Sequence, residues 1–142
     1  FSKKINVCTK TFQALRIFVN KETTELVEGI IKATKLIKHG GKIIVVSFHS
    51  IEDKIVKFYF KNYSENISRP SRYIPEDKKK NIILFKKYKN EFLKPSKEEI
   101  ANNPPSRSAK LRFAIRSKEK FIYPDLFKVK FKKYLDLESI NV

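Results

Sequence analysis

The sequence predicts an α/β domain built on a helix, a strand and a helix in succession, and three observations carry that expectation. The segment "KIIVVSF", Lys42 to Phe48, has no polar alternation and is rich in β-branched residues, as a strand buried on both faces reads. Apolar residues at helical spacing flank it on either side. Hydrophobic residues make up 41% and aromatics 13% of 142 residues, enough for one core. Such a unit belongs to a doubly wound sheet, with this strand expected to be parallel to its neighbours and helices on both faces.

The elements follow in order. Phe12, Leu15, Phe18 and Val19 are helically spaced, and Asn20 is placed to cap the helix after them. In that next helix Leu26, Ile30, Ala33 and Ile37 form a face, widened by Val27, Ile31 and Thr34, and Gly40–Gly41 ends it. After the strand, Ser50-Ile-Glu-Asp53 has capping-box spacing with two acids in the first turn. Ile51, Ile55, Phe58, Tyr59 and Tyr63 then supply a packing face. Residues 64–80 read as a loop, and "NIILFKKYK" reads as a second strand. "KPSKEEIANNPP" holds a short helix begun by Pro95 and Ser96 and stopped by Asn103 and Pro104. In "SAKLRFAIRS", Leu111, Phe113 and Ile115 alternate with Lys110, Arg112, Ala114 and Arg116, which predicts a half-exposed antiparallel strand with a basic outer face. The expected division is a domain over 1–120 and a basic, aromatic tail over 121–142, whose pattern assigns no element.

The formal charge of +17 is uneven, since residues 78–133 hold 18 basic against 5 acidic side chains. Lysines dominate, 26 against 6 arginines, so arginine placement is the more telling signal; Arg107, Arg112 and Arg116 fall within ten positions. Arginine's planar fork suits phosphates and base edges, and no basic amphipathic helix with a broad apolar face stands out, so nucleic acid is favoured over membrane. No apolar run reaches the ~18 residues of a membrane span, and the start lacks the features of a signal peptide. Cys8 is the single cysteine, which excludes an internal disulfide and points to a reducing, cytoplasmic compartment. The chain contains no Met, which suggests a piece of a longer protein.

The chemistry-bearing residues concentrate at two places. Ser47 stands at the carboxyl end of the strand and His49 and Asp53 past it, where open α/β sheets place their crevice. They read either as a helix cap that fixes the turn or as the border of an active site. In "NNPPSRSAKLR", Ser106, Arg107, Ser108 and Lys110 read either as a surface turn or as donors to RNA phosphate and sugar. The three glycines, at 29, 40 and 41, form no G-x-G cradle, so no cofactor-binding residue is expected in this chain. His39 and His49 have no acid or cysteine at metal-ligand spacing, so no metal is expected either. Ser47 and His49 lack an oxyanion loop, which argues against a nucleophilic triad.

Three segments in this order, "TFQALRIFVNKE", "GGKIIVVSFHSIEDKIVKFYF" and "KPSKEEIANNPPSRSAKLRFA", closely resemble the C-terminal half of the bacterial 16S ribosomal RNA cytosine-N4 methyltransferases. The resemblance covers Thr9 to about Ser117. It implies a Rossmann-like class I methyltransferase that uses S-adenosylmethionine on the exocyclic amine of a cytidine, with the final strand pair of the sheet antiparallel. It also implies that the glycine-rich cofactor loop lies in a missing N-terminal half, so that the fragment alone is inactive. Carried over by position are the cleft-bordering candidates His49, Ser47 and Asp53, and the RNA-facing candidates Arg16, Asn103, Arg107, Ser108, Lys110 and Arg112. Pro105 stands where the family more often has an arginine. The expected partners are small-subunit ribosomal RNA, the missing half and, as a further candidate, a second copy of the chain. The alternative reading is a non-catalytic, basic RNA-binding module associated with ribosomes.

Overall fold

The computed structural model describes residues 7–65, 82–86 and 88–139. It is a mixed α/β fold: α1 (Val7–Val19), α2 (Glu22–Leu36), β1 (Lys42–Ser47), α3 (Ser50–Asn62), α4 (Lys97–Asn102), β2 (Lys110–Ile115) and α5 (Asp125–Glu138), with a 3-10 turn at Pro104–Ser108. The loop expected over 64–80 lies, from residue 66 onward, outside the described residues.

The core forms where helical apolar faces meet one side of the sheet. Val27, Ile30 and Ile31 of α2 and Ile55, Val56, Tyr59 and Phe60 of α3 are buried together with Leu84, Phe85, Phe127 and Phe131. Each such side chain contributes about 1.5–3 kcal/mol on leaving water. Tyr59 is the hub, with ring centroids 4.5 Å from Phe127 and 5.5 Å from Phe85. Its hydroxyl donates to Thr34 Oγ1 at 3.2 Å, and that hydroxyl donates to the Ile30 carbonyl at 2.7 Å. Burial pushes the Tyr59 phenol well up, so it stays a neutral donor.

Helix α2 begins differently from the expectation. Asn20 does not cap it; its amide donates to Glu22 at 3.4 Å, and the cap position is Lys21, in the left-handed region at φ 52° and ψ 37° with no side-chain cap. The open amides are met from the far end of the chain: the buried Glu138 carboxylate accepts from Thr23 N at 3.0 Å and Thr24 N at 2.8 Å. The tail therefore contains α5, whose Phe127 and Phe131 lie in the same core as α2 and α3. At the other end of α2, Gly40 takes φ 80°, and its N–H donates to the Arg116 carbonyl at 3.1 Å. The chain thus enters β1 already tied to the end of β2.

β1 and β2 pair antiparallel, with Ile44 opposite Phe113, Val45 opposite Arg112 and Ser47 opposite Lys110. Among the described residues the strand partner of β1 is thus antiparallel, not parallel as expected, and two further expectations are corrected. β1 is not buried on both faces: Ile43 and Ser47 face the core while Ile44 and Val46 are 58% and 48% exposed. β2 is turned the opposite way to the expectation, with Arg112, Ala114 and Arg116 buried and Phe113 exposed. The physical reason is satisfaction of charge: Arg116 donates to the carbonyls of Leu84 and Glu119, at 2.8 and 2.9 Å, and Arg112 pairs with Asp53. The apolar alternation of β2 is real, but its apolar side faces away from the described core. The strand expected at 81–89 is, among the described residues, a bridge at Phe85, joined to Ser64 on one side and Arg116 on the other.

Candidate functional site

The corner after β1 is built by His49. In extended conformation at φ −136° and ψ 165°, it is the N-cap of α3: Nδ1 accepts from Glu52 N at 3.4 Å, and Glu52 Oε2 accepts from His49 N at 3.3 Å and Phe48 N at 2.8 Å. The capping box exists, but one residue earlier than Ser50. Ser50 is already in the helix. Asp53 is drawn elsewhere, onto Arg112 Nε at 2.7 Å and Lys110 Nζ at 3.1 Å.

This ion group ties α3 to β2. Arg112 Nη1 also donates to the Tyr88 hydroxyl at 3.0 Å. Burial disfavours the Asp53 charge, but the hydrogen bonds from Arg112 and Lys110 outweigh it and hold the carboxyl below its ordinary value. Phe92 gathers the cations, with Lys94, Lys110 and Arg112 at 5.7, 5.2 and 5.0 Å from its ring centroid.

The sequence-nominated residues separate into groups. His49, Arg107, Ser108 and Lys110 line one cavity of about 300 Å³, together with Phe48 and Lys94. Asn103 lines a neighbouring cavity of about 410 Å³, walled by Val46, Leu93 and Leu111. Ser47 is buried, its Oγ 3.4 Å from the Lys110 carbonyl. Arg112 is buried too and does not reach the cavity. Arg16, on α1, lines neither cavity and donates to Glu22 at 2.8 and 3.2 Å, a carboxylate that also neighbours His49. Lys94 and Phe48 were missed by sequence reasoning. The signal for Lys94 was the aromatic–cation pair Phe92-x-Lys94, which lies outside any helix or strand pattern.

One cluster has metal-ligand types: Glu22, His49 and Glu52, with ligand atoms within 4.8 Å of one another. His49 Nε2 lies 3.4 Å from Glu52 Oε1 and 3.7 Å from Glu22 Oε2. Because Nδ1 accepts a backbone hydrogen bond, the ring proton of the neutral form belongs on Nε2, which then faces the two carboxylates. That arrangement orients the ring, although Nε2 makes no hydrogen bond to either carboxylate. The described glycines form no cofactor cradle, since Gly29 lies within α2 and Gly40 and Gly41 lie in the turn before β1.

Residues 1–117 match the MraW methylase family. The chain belongs to that family. It is 50% identical over 113 residues to a ribosomal RNA small subunit methyltransferase H of Ehrlichia canis, across 79% of this chain and 35% of the relative. A protein of the same name from Bartonella bacilliformis is 40% identical over 136 residues, across 96% of this chain and 40% of the relative. The chain therefore spans little more than a third of the length of these curated relatives, and its α5 lies beyond the family match. As a member of the MraW methylase family, it carries the Ser47–Asp53 corner and the Asn103–Arg112 segment inside the matched region.

Proposed function

We propose that this chain is the C-terminal part of a Rossmann-like methyltransferase domain acting, in the cytoplasm, on the N4 amine of a cytidine in 16S ribosomal RNA with S-adenosylmethionine as methyl donor. The observation that carries this reading is the convergence of the His49 corner and the Arg107–Lys110 segment on one cationic cavity past the carboxyl end of β1. A cationic crevice at that end of a strand suits a phosphate-bearing substrate.

The three glycines of the chain make no G-x-G cradle for the donor, and the role assigned to this chain in this reading is positioning. The lone pair of a cytosine amine is delocalised into the ring, and transfer needs the amine held in line and its N–H groups accepted. His49 sets the direction of Phe48 and the first turn of α3, while Asp53 holds Lys110 at the cavity wall. Arg107, Ser108 and Lys110 are the donors for the RNA backbone. The exposed sheet face of Ile44, Val46 and Phe113 is where the remainder of the methyltransferase packs.

Calorimetry with S-adenosylmethionine, paired with methyl transfer to small ribosomal subunits, tests this on the chain and on a longer form carrying the remaining length of its relatives. The longer form binds and transfers; the chain alone does neither. Tight binding by the chain alone overturns the division of labour. RNA binding without transfer in the longer form would instead favour a non-catalytic RNA-binding module.

A further inference from the structure

The capping role of His49 uses only one of its ring nitrogens. Nδ1 serves the cap, while Nε2 is buried without a hydrogen-bond partner, in a side chain 8% exposed. Nε2 faces two carboxylates from different helices, Glu52 Oε1 of α3 at 3.4 Å and Glu22 Oε2 of α2 at 3.7 Å. Each carboxylate is held in place through its second oxygen. Glu52 Oε2 accepts from the amides of Phe48 and His49, and Glu22 Oε1 accepts from Arg16 Nε and Asn20 Nδ2. The three ligand atoms lie within 4.8 Å of one another. A buried nitrogen left unpartnered beside two oriented acids is uncommon, and it marks strain or an expected ligand.

We propose that Glu22, His49 and Glu52 form a site for a first-row divalent metal ion, zinc above all, bound through His49 Nε2 and one oxygen of each carboxylate. Zinc holds nitrogen and oxygen ligands at about 2.0–2.2 Å, which places neighbouring ligands of a tetrahedral site about 3.3–3.6 Å apart. The 3.4 and 3.7 Å separations already approach that spacing. Magnesium and calcium prefer larger, all-oxygen shells, so an imidazole among three ligands selects against them. His49 and Glu52 lie one turn apart at the start of α3, and the first turn of α2 supplies Glu22, so spacing along the chain does not announce the set. The carboxylates, 21% and 25% exposed, give an entry path and leave the fourth position to water. Binding has a cost at the ring. A metal on Nε2 moves the imidazole proton to Nδ1, and the long 3.4 Å bond from Glu52 N is given up. The other half of the capping box stays. Arg16 beside Glu22 opposes a second cation, but it is 56% exposed and screened by solvent. The ion joins the start of α2 to the start of α3, a structural role that does not depend on the methyl-transfer reading.

The test is calorimetric titration of the metal-free 142-residue chain with zinc chloride, with cobalt(II) as a spectroscopic probe of the same site. The chain binds a single zinc ion, and cobalt shows the strong visible bands of a tetrahedral ion. H49N, which keeps a capping acceptor, and E22Q, which keeps the side-chain shape, each weaken zinc binding by about tenfold or more and remove the cobalt bands. H39N, at an exposed histidine outside the cluster, changes neither. Zinc raises the thermal midpoint of the unaltered chain but not that of H49N, and magnesium at the same concentration raises neither. Far-UV circular dichroism checks that each variant keeps the fold. No saturable zinc binding by the unaltered chain overturns the proposal, as does full affinity in either H49N or E22Q, or a loss of affinity in H39N. Methyl transfer by the longer form judges the functional reading separately, because zinc binding to this chain requires neither RNA nor S-adenosylmethionine.

Discussion

At the scale of single residues, His49 shows how a structural and a functional role can be separated by choice of substituent. The imidazole caps α3, and a cap is worth about 1 kcal/mol. His49→Asn keeps a capping acceptor but loses the ring at the cavity wall, whereas His49→Ala loses both. In the longer enzyme, both variants lower turnover with S-adenosylmethionine affinity kept, and only His49→Ala lowers the thermal midpoint. Unchanged turnover in His49→Asn would confine His49 to capping. Asp53 makes a different prediction. Its carboxyl is held below the ordinary value, so its stabilising effect is present above the usual carboxylate range near ~3.9 and is lost as pH falls through the lowered folded value. Asp53→Ala strands the buried Arg112 and costs about 3 kcal/mol at neutral pH, with a shallower loss of stability in acid than the parent. Denaturant titrations at pH 7 and pH 3 check both halves, and identical acid slopes would exclude Asp53 as the titrating group.

At the scale of elements, α2 and α3 were legible because each carries an apolar stripe at its own period, and both bury residues the pattern named. Strand β2 was legible in position but not in facing. Alternation says that two sides differ, not which one meets the core, and the usual rule of apolar side inward is reversed where Arg112 and Arg116 find enough acceptors to be buried. The corner was legible to within one residue, because Ser50 and His49 both offer a capping acceptor and only the geometry chooses. The tail was not legible, since Phe127 and Phe131 reveal a helical face only once α2 and α3 are there to receive it. Its contribution is testable. Phe131→Ala costs about 3–5 kcal/mol as a core truncation. Glu138→Ala costs about 1–2 kcal/mol, since it removes the carboxylate that accepts from two amides of α2. Hydrogen exchange locates the second effect: Thr23 and Thr24 amides lose protection first in Glu138→Ala, and uniform loss across α2 and α5 would mean that α5 had undocked instead.

For the whole molecule, the deciding feature is a sheet finished on one side only. Ile44 and Phe113 stand 58% and 46% exposed on one face, and among the described residues β1 has a strand partner along one edge alone. Such an edge templates association. Against it stands the formal charge of +17, which keeps copies apart at low ionic strength. Salt settles the contest, because the screening length falls from about 30 Å at 0.01 M to about 8 Å at 0.15 M, while apolar burial is not screened. The isolated chain is therefore expected to sediment as a monomer in low salt and to associate as salt rises. Ile44→Lys, at a position already open to water, suppresses that association with little change in the stability of the chain. Under the proposed packing of the remaining length on this face, Ile44 is buried in the longer form, and Ile44→Lys is expected to destabilise it by roughly 1.5–3 kcal/mol or more. Sedimentation of the chain and denaturation of the longer form read the two arms independently. Equal, small effects in both would mean that this face stays open in the intact protein, and that the remaining length packs against the molecule elsewhere.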